Sequence, residues 1–221
     1  MPPGKITSIA AQAHDSQRVN LFIDGQFAIG LSLATLAQER LYIGQELDEL
    51  AWLRVEAAAE AERAMSAAAR LLDARPRSSA EVRQRLRRKD FTPAAIEQAL
   101  ERLSALGLLD DAAFSRYWVE NRQSFRPRGA NALRDELRRK GVARDTIAEA
   151  LAATDADPEG EAARAEAVAR SALRRYAASP DRSTFQRRLG GLLQRRGFSL
   201  HTIRPILAIL WEELRTQSDD Q

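Results

Sequence analysis

The 221-residue sequence contains no cysteine and only two histidines, His14 and His201. The lack of cysteine excludes disulfides, thiolate zinc sites, iron–sulfur clusters and thiol nucleophiles, and two isolated histidines supply too few ligands for a metal centre. P-loop, dinucleotide-binding and nucleophile-elbow motifs are missing as well. We therefore expect no metal, no other cofactor, no catalytic residues and no enzymatic activity.

Long apolar runs are also missing. No stretch approaches the roughly 20 apolar residues that cross a bilayer, and the N-terminal MPPGKITSIA lacks the layout of a secretory signal. Hydrophobic residues nevertheless make up 44% of the chain, which is enough for a buried core. These features predict a folded, cytoplasmic protein that does not associate with membranes.

Lysine is scarce, since 31 of the 34 basic residues are arginine. The net charge is −3 over residues 1–72, +5 over residues 73–150 and +1 over residues 151–221. Arginine suits bidentate contacts with phosphate or carboxylate groups. The central excess of arginine therefore favours a binding surface for phosphates or for an acidic protein face.

Only the N-terminal segment has the pattern of β-structure. Residues 18–23 alternate polar and apolar side chains, Asp24-Gly25 fits a two-residue hairpin turn, and residues 26–30 supply the returning strand. Residues 5–11 are a candidate third strand. From Ser32 onward the pattern is helical, including a long alanine-rich helix over residues 46–72.

An internal repeat dominates the rest of the chain. Residues 81–100, 132–151 and 188–207 align without gaps, at offsets of 51 and 56 residues. Their apolar spacing predicts two helices joined by a tight corner. The equivalent apolar residues are Val82, Leu133 and Leu189; Leu86, Leu137 and Leu193; Phe91, Val142 and Phe198; Ile96, Ile147 and Ile203; and Leu100, Leu151 and Leu207.

Local signals support the boundaries of these helices. The residue before each apolar corner position is Asp90, Gly141 or Gly197, all of which tolerate a left-handed conformation. Ser78 with Glu81 forms a capping-box pattern. Other helix starts are indicated by Thr92-Pro93, Asp110 and Asp157.

Because another helix precedes each repeat, the fold class is mainly α. It consists of tandem three-helix, helix-turn-helix-like units after a small N-terminal β-hairpin or sheet and a helix. We expect the N-terminal segment over residues 1–45, the first unit over 46–106, the second over 107–154 and the third over 155–221. The acidic stretch 154–161 is the best candidate linker, and the tail 216–221 is expected to fray.

The basic residues have two interpretations. Two cations precede every corner, where they complement the helix dipole for about 0.3–1 kcal/mol each. Other arginines fall outside these positions and predict a basic binding surface. Phe125 is either a core anchor, which we favour, or a residue that stacks on a nucleic acid base. The candidate surface comprises Arg75, Arg77, Arg83, Arg87, Arg88, Lys89, Arg122, Arg126, Arg128, Arg134, Arg138, Arg139, Lys140, Arg195 and Arg196.

These residues carry a resemblance to a known family. The stretch from Arg77 to Arg122, with its Leu-x-x-Lys turn and the Gly-Leu-Leu-Asp-Asp junction at 107–111, resembles the RecX family of regulatory proteins, modulators of the RecA recombinase. Residues 128–141, RGANALRDELRRKG, are similar to the second unit of that family, and VNLFIDGQFAIGLS to the N-terminal segment of some members. The third unit departs from the pattern at Gly190-Gly191.

The resemblance implies a protein of tandem three-helix units that lies in the groove of a RecA–DNA filament. It implies inhibition of recombinase, ATPase and coprotease activity in DNA repair and the SOS response. It also implies weak, sequence-independent binding to single- and double-stranded DNA. We expect a monomer.

Two other functions fit the residues. A three-helix unit with an arginine-rich helix is also typical of a sequence-specific helix-turn-helix transcription regulator. A helical repeat adaptor without any role in nucleic acid binding is the third hypothesis.

Overall fold

The computed structural model describes residues 3–13, 15–155, 158–179 and 181–219. The chain divides into two compact units, Met1–Leu109 and Asp110–Gln221. The first unit contains β1 (Gly4–Gln12), β2 (Asp15–Ile23), β3 (Gln26–Ser32), α1 (Leu33–Gln38), β4 (Glu46–Leu47), α2 (Glu49–Ala74), α3 (Ser79–Arg87) and α4 (Pro93–Ala105). The second contains α5 (Asp111–Phe125), α6 (Ala130–Arg139), α7 (Arg144–Asp155), α8 (Pro158–Tyr176), α9 (Arg182–Arg195) and α10 (Leu200–Asp219).

The N-terminal segment is an antiparallel sheet with the strand order β3-β2-β1-β4. The predicted hairpin turn is confirmed, since Asp24 and Gly25 have φ values of 49° and 80°. The predicted third strand is present as β1, which pairs with β2. The two-residue strand β4 was not predicted, because its pairing of Gly4 with Leu47 joins distant parts of the sequence.

Helix α2 belongs to two cores of the first unit. Near its start, Trp52, Val55 and Ala59 pack beneath the sheet. Farther along, Ala67 and Ala68 join the core of the first repeat. Small alanine side chains let two helices approach closely, and Ala64 packs with alanines of α4. One helix thus supports both the sheet and the first repeat.

A partly buried carboxylate links the sheet to α2. Glu62 on α2 accepts hydrogen bonds from the Thr35 hydroxyl at 2.7 Å and the Ser32 backbone N–H at 3.0 Å, and it forms an ion pair with Arg18. Burial alone would raise the pKa of Glu62, but these hydrogen bonds and the charge of Arg18 outweigh burial and lower that pKa. The contact therefore stabilises the ionised carboxylate.

The fold class is confirmed, with three helices for each repeat. The first repeat uses α2, α3 and α4, the second uses α5, α6 and α7, and the third uses α8, α9 and α10. The residues aligned from the sequence form these three cores. Buried members include Leu86, Leu137 and Leu193, each with 0% of its surface exposed.

The corners and caps also agree with the sequence analysis. Asp90, Gly141 and Gly197 have φ values of 61°, 76° and 90°, so each corner residue is left-handed. Both hydrogen bonds of the capping box at Ser78 and Glu81 are present. Side chains of Thr92 and Asp110 cap α4 and α5, with Pro93 at the start of α4.

Several expectations need correction. Leu50 and Leu53 in the alanine-rich helix are exposed, because Trp52 and Val55 form the buried face of α2. Helix α7 continues to Asp155, α8 begins at Pro158 and α10 extends to Asp219. Helical backbone therefore occupies most of the expected linker and enters the tail. His14 and the expected cap Asp157 lie outside the described residues, and the domain boundaries stay a prediction.

Candidate nucleoprotein-binding surface

The first repeat divides its cations into paired and exposed groups. Arg75 forms an ion pair with Glu81 at 3.1 Å, and the Arg77 Nε donates to the backbone oxygen of Leu71 at 2.9 Å. Burial lowers the pKa of Arg77, with a further contribution from the nearby charge of Arg75. These two arginines hold the loop between α2 and α3 in place.

Arg83 crosses from α3 to α4. Its Nε and Nη2 donate to the two carboxylate oxygens of Glu97, both at 2.8 Å. The hydrogen bonds from Arg83 lower the pKa of Glu97. Such a bidentate pair closes the outer face between the two helices, so the Arg83 guanidinium is already occupied.

The last turn of α3 and its corner carry the exposed cations of this repeat. Arg87, Arg88 and Lys89 are all exposed, next to the left-handed Asp90. Among the described residues, no ion pair forms with any of these three cations. These three cations can complement the dipole of α3 while their charged groups stay in water. A binding partner can therefore reach them.

In the second repeat, three side chains lie around the carboxylate of Glu136, and two of them, Arg122 and Arg128, belong to the candidate surface. Its carboxylate accepts hydrogen bonds from Arg122 Nε and Trp118 Nε1, both at 2.8 Å. Arg128 lies 3.8 Å away, and the Glu136 side chain is only 13% exposed. We call these four residues, Trp118, Arg122, Arg128 and Glu136, the Glu136 cluster.

Two cations lie close to the aromatic ring of Trp118. The Arg122 guanidinium is 4.5 Å and the Lys140 Nζ is 4.1 Å from the ring centroid. Cation–π contacts of this kind stabilise a partly buried tryptophan. Trp118 is partly buried and packs against the core of the second repeat. Arg122 and Lys140 thus have structural contacts.

Other cations of the second repeat face solvent. Arg126 and Arg139 are exposed. Arg134 donates to the side chain of Asn131 at 2.9 Å, and Arg138 pairs with Asp135 at 3.0 Å while remaining 76% exposed. Exposed pairs of this kind contribute little to stability and exchange readily with other partners.

The favoured interpretation of Phe125 was wrong. It is the last residue of α5, and 79% of its surface is exposed. The chain leaves the helix at this point, with Arg126 in a non-helical conformation as its C-cap. An exposed phenylalanine next to an exposed arginine matches the alternative interpretation, a side chain able to stack on a base.

Two glycines bring the second and third repeats together. The Gly129 N–H donates to the backbone oxygen of Arg196 at 3.0 Å, and the Asn131 N–H donates to that of Gly197 at 3.2 Å. A Cβ on Gly129 would lie 2.3 Å from the Gly197 oxygen, so the backbones can meet only because these residues lack side chains. We call this contact the glycine junction.

The glycine junction also brings together cationic stretches from two repeats. It places the backbone before α6, which carries Arg126 and Arg128, next to the backbone at the corner with Arg195 and Arg196. Arg195 further borders a shallow cavity of about 360 Å³ with Arg175, Arg187 and Arg188. Arg175, Arg187 and Arg188 were not predicted from the sequence. Of these, Arg175 and Arg187 lie outside the repeat alignment.

His201 lies exposed in the first turn of α10, as expected. Among the residues that the structure describes, no group of three acidic, histidine or cysteine side chains is arranged to hold a metal ion. No described helix has both the length and the apolar character needed to span a bilayer.

Comparisons with known proteins add the family to this geometry. Four family models match in order: the RecX N-terminal domain at residues 4–48, then the first, second and third RecX three-helix domains at residues 64–103, 110–151 and 159–207. The chain belongs to the RecX family of regulatory proteins. The order of these RecX domains is the order in which the sheet and the three repeats follow one another.

Individual relatives of the RecX family agree. Regulatory protein RecX of Mycobacterium avium is 41% identical over 138 residues, which are 62% of this chain and 79% of the relative. RecX of Bacillus subtilis is 32% identical over 146 residues, 66% of this chain and 55% of the relative. A crystal structure of regulatory protein RecX superposes with a TM-score of 0.80 at 29% identity, covering 91% of this chain and 98% of that one.

A second crystal structure, of RecX from Lactobacillus salivarius, has a TM-score of 0.63 at 22% identity, covering 69% of this chain and 97% of that one. At this identity the likeness concerns the fold. Together with the family match, these findings indicate a regulatory protein.

Proposed function

We propose that this protein binds the RecA nucleoprotein filament in its groove and inhibits the recombinase, ATPase and coprotease activities of RecA. The membership in the RecX family carries this proposal. The protein would act in the cytoplasm as a monomer, during DNA repair and the SOS response. No chemical step by the protein itself is required.

The arrangement of the cations supports the proposal. Each repeat presents exposed arginines before its corner: Arg87 and Arg88 in the first, Arg139 in the second and Arg195 in the third. Several weak contacts on one chain add up to useful avidity, because each contact raises the effective concentration of the next. A filament repeats its binding sites, which suits a chain that repeats its own.

The ion pairs of the protein favour some cations over others as contacts with the filament. Arg83 and Arg122 are held by Glu97 and Glu136. Releasing either arginine would break its hydrogen bonds with the carboxylate, a cost that the exposed cations avoid. We therefore assign contact with filament phosphates or carboxylates to the exposed corner cations and stacking on DNA bases to Phe125.

A titration of RecA-catalysed strand exchange on single-stranded DNA with this protein tests the proposal. We expect inhibition at less than one molecule of the protein per RecA. Unchanged strand exchange and ATPase rates at stoichiometric amounts would refute the proposal. Binding of the protein to the filament, followed by co-sedimentation, separates failure to bind from failure to inhibit.

A triple charge reversal sharpens the assignment of residues. Arg87→Glu, Arg88→Glu and Arg139→Glu together should raise the concentration for half-inhibition by about tenfold or more. The matched control reverses Arg54, Arg63 and Arg70, which are exposed on α2 and change the net charge equally. Equal effects of the two triple variants would refute a role for the corner cations as such.

A measurement of duplex DNA binding by the purified protein distinguishes the proposed filament regulator from a sequence-specific transcription regulator. Binding to duplex DNA should be weak, independent of sequence and steeply dependent on salt concentration. A preference of roughly 10³-fold or more for one duplex sequence would favour the transcription regulator.

A further inference from the structure

A groove opens between α9 and α10 in the third repeat, with a volume of about 530 Å³. Its floor is apolar and includes Ile203 and Leu207, which are buried, and Leu200, which is half exposed. Gly190 and Gly191 form the facing part of α9. The lining is thus made by two helices of the same repeat.

The glycine at position 190 is the reason that the groove is open. A Cβ there would already lie 3.1 Å from the Leu207 Cδ1, so any longer side chain would project over the floor. The repeat alignment places Arg83 and Arg134 at the equivalent positions. Glycine in a helix interior costs about 1 kcal/mol relative to alanine, and at position 190 it lets the Leu207 side chain approach α9 closely.

The first repeat reveals what the third repeat lacks. There the equivalent face is covered by Arg83, which holds Glu97 through two hydrogen bonds of 2.8 Å. The residue aligned with Glu97 is Arg204. The third repeat therefore has no side chain where the first has the arginine, and a cation where the first has the carboxylate.

Arg204 is exposed and borders the groove. Within the described parts of the chain, Arg204 has neither an ion pair nor a side-chain hydrogen bond, unlike Arg170 in the same repeat, which binds Glu166 and Glu213. Arg182 and Arg187 also line the groove, whereas no aspartate or glutamate does. The rim of the groove is therefore positively charged, and it surrounds an apolar floor.

This combination favours a protein segment over a nucleic acid. A phosphodiester group over the floor would be desolvated by apolar side chains without gaining a hydrogen bond from them. The lining contains no aromatic ring on which a base could stack. An aliphatic side chain, by contrast, gains from burial on this floor, and a neighbouring carboxylate finds a guanidinium at the rim.

We propose that the groove between α9 and α10 binds an acidic peptide segment of a protein partner. One aliphatic side chain of the segment lies on Ile203 and Leu207, and an adjacent carboxylate pairs with Arg204. The carboxylate of the segment would pair with Arg204 as Glu97 pairs with Arg83 within the first repeat. This proposal does not depend on which enzyme the protein regulates.

Selection from a random peptide library tests the proposal without any recombinase. Phage-displayed peptides of about 12 residues, enough for three helical turns, are selected on the full chain. Selected peptides are then synthesised with a fluorophore, and their dissociation constants are measured by fluorescence anisotropy. We expect enrichment of peptides that combine aspartate or glutamate with leucine, isoleucine or valine.

Two variants link the bound peptide to the groove. Gly190→Glu supplies a carboxylate within reach of Arg204 and covers the floor, and Arg204→Glu removes the cation while leaving the groove open. Both should weaken peptide binding by about tenfold or more. Arg174→Glu, an exposed residue of α8 outside the lining, makes the same charge change and should leave the affinity unchanged.

The outcomes separate the alternatives. Enriched peptides without acidic residues, or equal affinities of the Arg204→Glu and Arg174→Glu variants, would overturn the proposal. So would a failure to enrich any peptide while a fluorescent oligothymidine binds the native protein and loses affinity in the Arg204→Glu variant, because the groove would then be a nucleic acid site. Circular dichroism melting of each variant checks that the fold is retained.

Discussion

The first repeat and the other two repeats use the same apolar pattern but different supports. The first repeat packs on α2, whose other end lies under the sheet, so one continuous helix joins its core to that of the N-terminal segment. The second and third repeats meet backbone to backbone at the glycine junction. The shared apolar pattern therefore determines the core of each repeat, and other residues, such as the helix α2 alanines and the two junction glycines, determine which neighbouring segment the repeat contacts.

The difference predicts unequal tolerance to substitution at residues that resemble each other in sequence. In the first repeat, the contacts with α2 are shared among many small side chains, such as the alanines between α2 and α4. Support through a glycine junction depends on two positions that admit no side chain. Three sets of variants test this contrast.

The largest effect is expected at the glycine junction. Gly107→Ala, which lies outside the junction, serves as a reference. It adds only the strain of a left-handed residue, about 1–2 kcal/mol, because its Cβ would contact nothing within 4 Å. Gly129→Ala adds only a clash, about 1–3 kcal/mol, since its φ is −77°. Gly197→Ala combines φ of 90° with a Cβ 2.3 Å from Ala132, so its free energy of unfolding should fall the most.

Urea denaturation of the three single variants measures these losses. If Gly197→Ala is no more costly than Gly107→Ala, the two repeats do not rely on close backbone contact. The double variant Gly129→Ala with Gly197→Ala should cost less than the sum of the singles, because both remove the same contact.

A second, smaller contrast concerns two arginine–carboxylate pairs. Glu136→Ala leaves Arg122 and the Trp118 Nε1 without their acceptor in a half-buried site and should cost about 1.5–3 kcal/mol. Glu97→Ala breaks the more exposed pair with Arg83 and should cost about 0.2–1 kcal/mol. Urea denaturation gives both values, and tryptophan fluorescence should change only in Glu136→Ala. Similar costs for the two variants would mean that the Glu136 cluster is no better shielded than the exposed pair.

The smallest effect is a pH dependence that originates in the first unit. The pKa of Glu62 is lowered from its ordinary value of 4.5, so the folded state holds the ionised carboxylate more strongly than the unfolded chain does. The stabilisation from Glu62 should be complete above about pH 4.5 and disappear as the pH falls through the lowered pKa. Thermal melts of the native protein and Glu62→Gln should therefore differ at pH 7 and converge toward pH 3. A constant difference across this range would contradict the prediction.

Features that depend on neighbouring residues in sequence were predictable. The corner residue Asp90 and the capping pair Ser78 and Glu81 follow from backbone preferences over a few residues. The repeat itself was visible because the apolar residues recur at a constant spacing. These local signals were enough for the fold class, several helix caps and the family.

Features that depend on contacts between distant segments were not predictable. Phe125 was assigned to the core, but its 79% exposure depends on which segments pack around the end of α5, and the local sequence does not specify them. Glu136 accepts hydrogen bonds from Trp118 and Arg122 of another helix, and its sequence neighbours do not indicate these partners. Which cations of the predicted surface are occupied by internal carboxylates likewise required the folded chain.

The continuous helix α2 has a practical consequence for dividing the molecule. It contains 26 residues and is therefore about 39 Å long, while the family domains on either side end at residue 48 and resume at residue 64. A cut anywhere between these positions severs a single helix, and a cut before Trp52 also separates Trp52, Val55 and Ala59 from the core under the sheet. A fragment that keeps the whole helix with its cap begins at or before Asp48, whose side chain caps the helix.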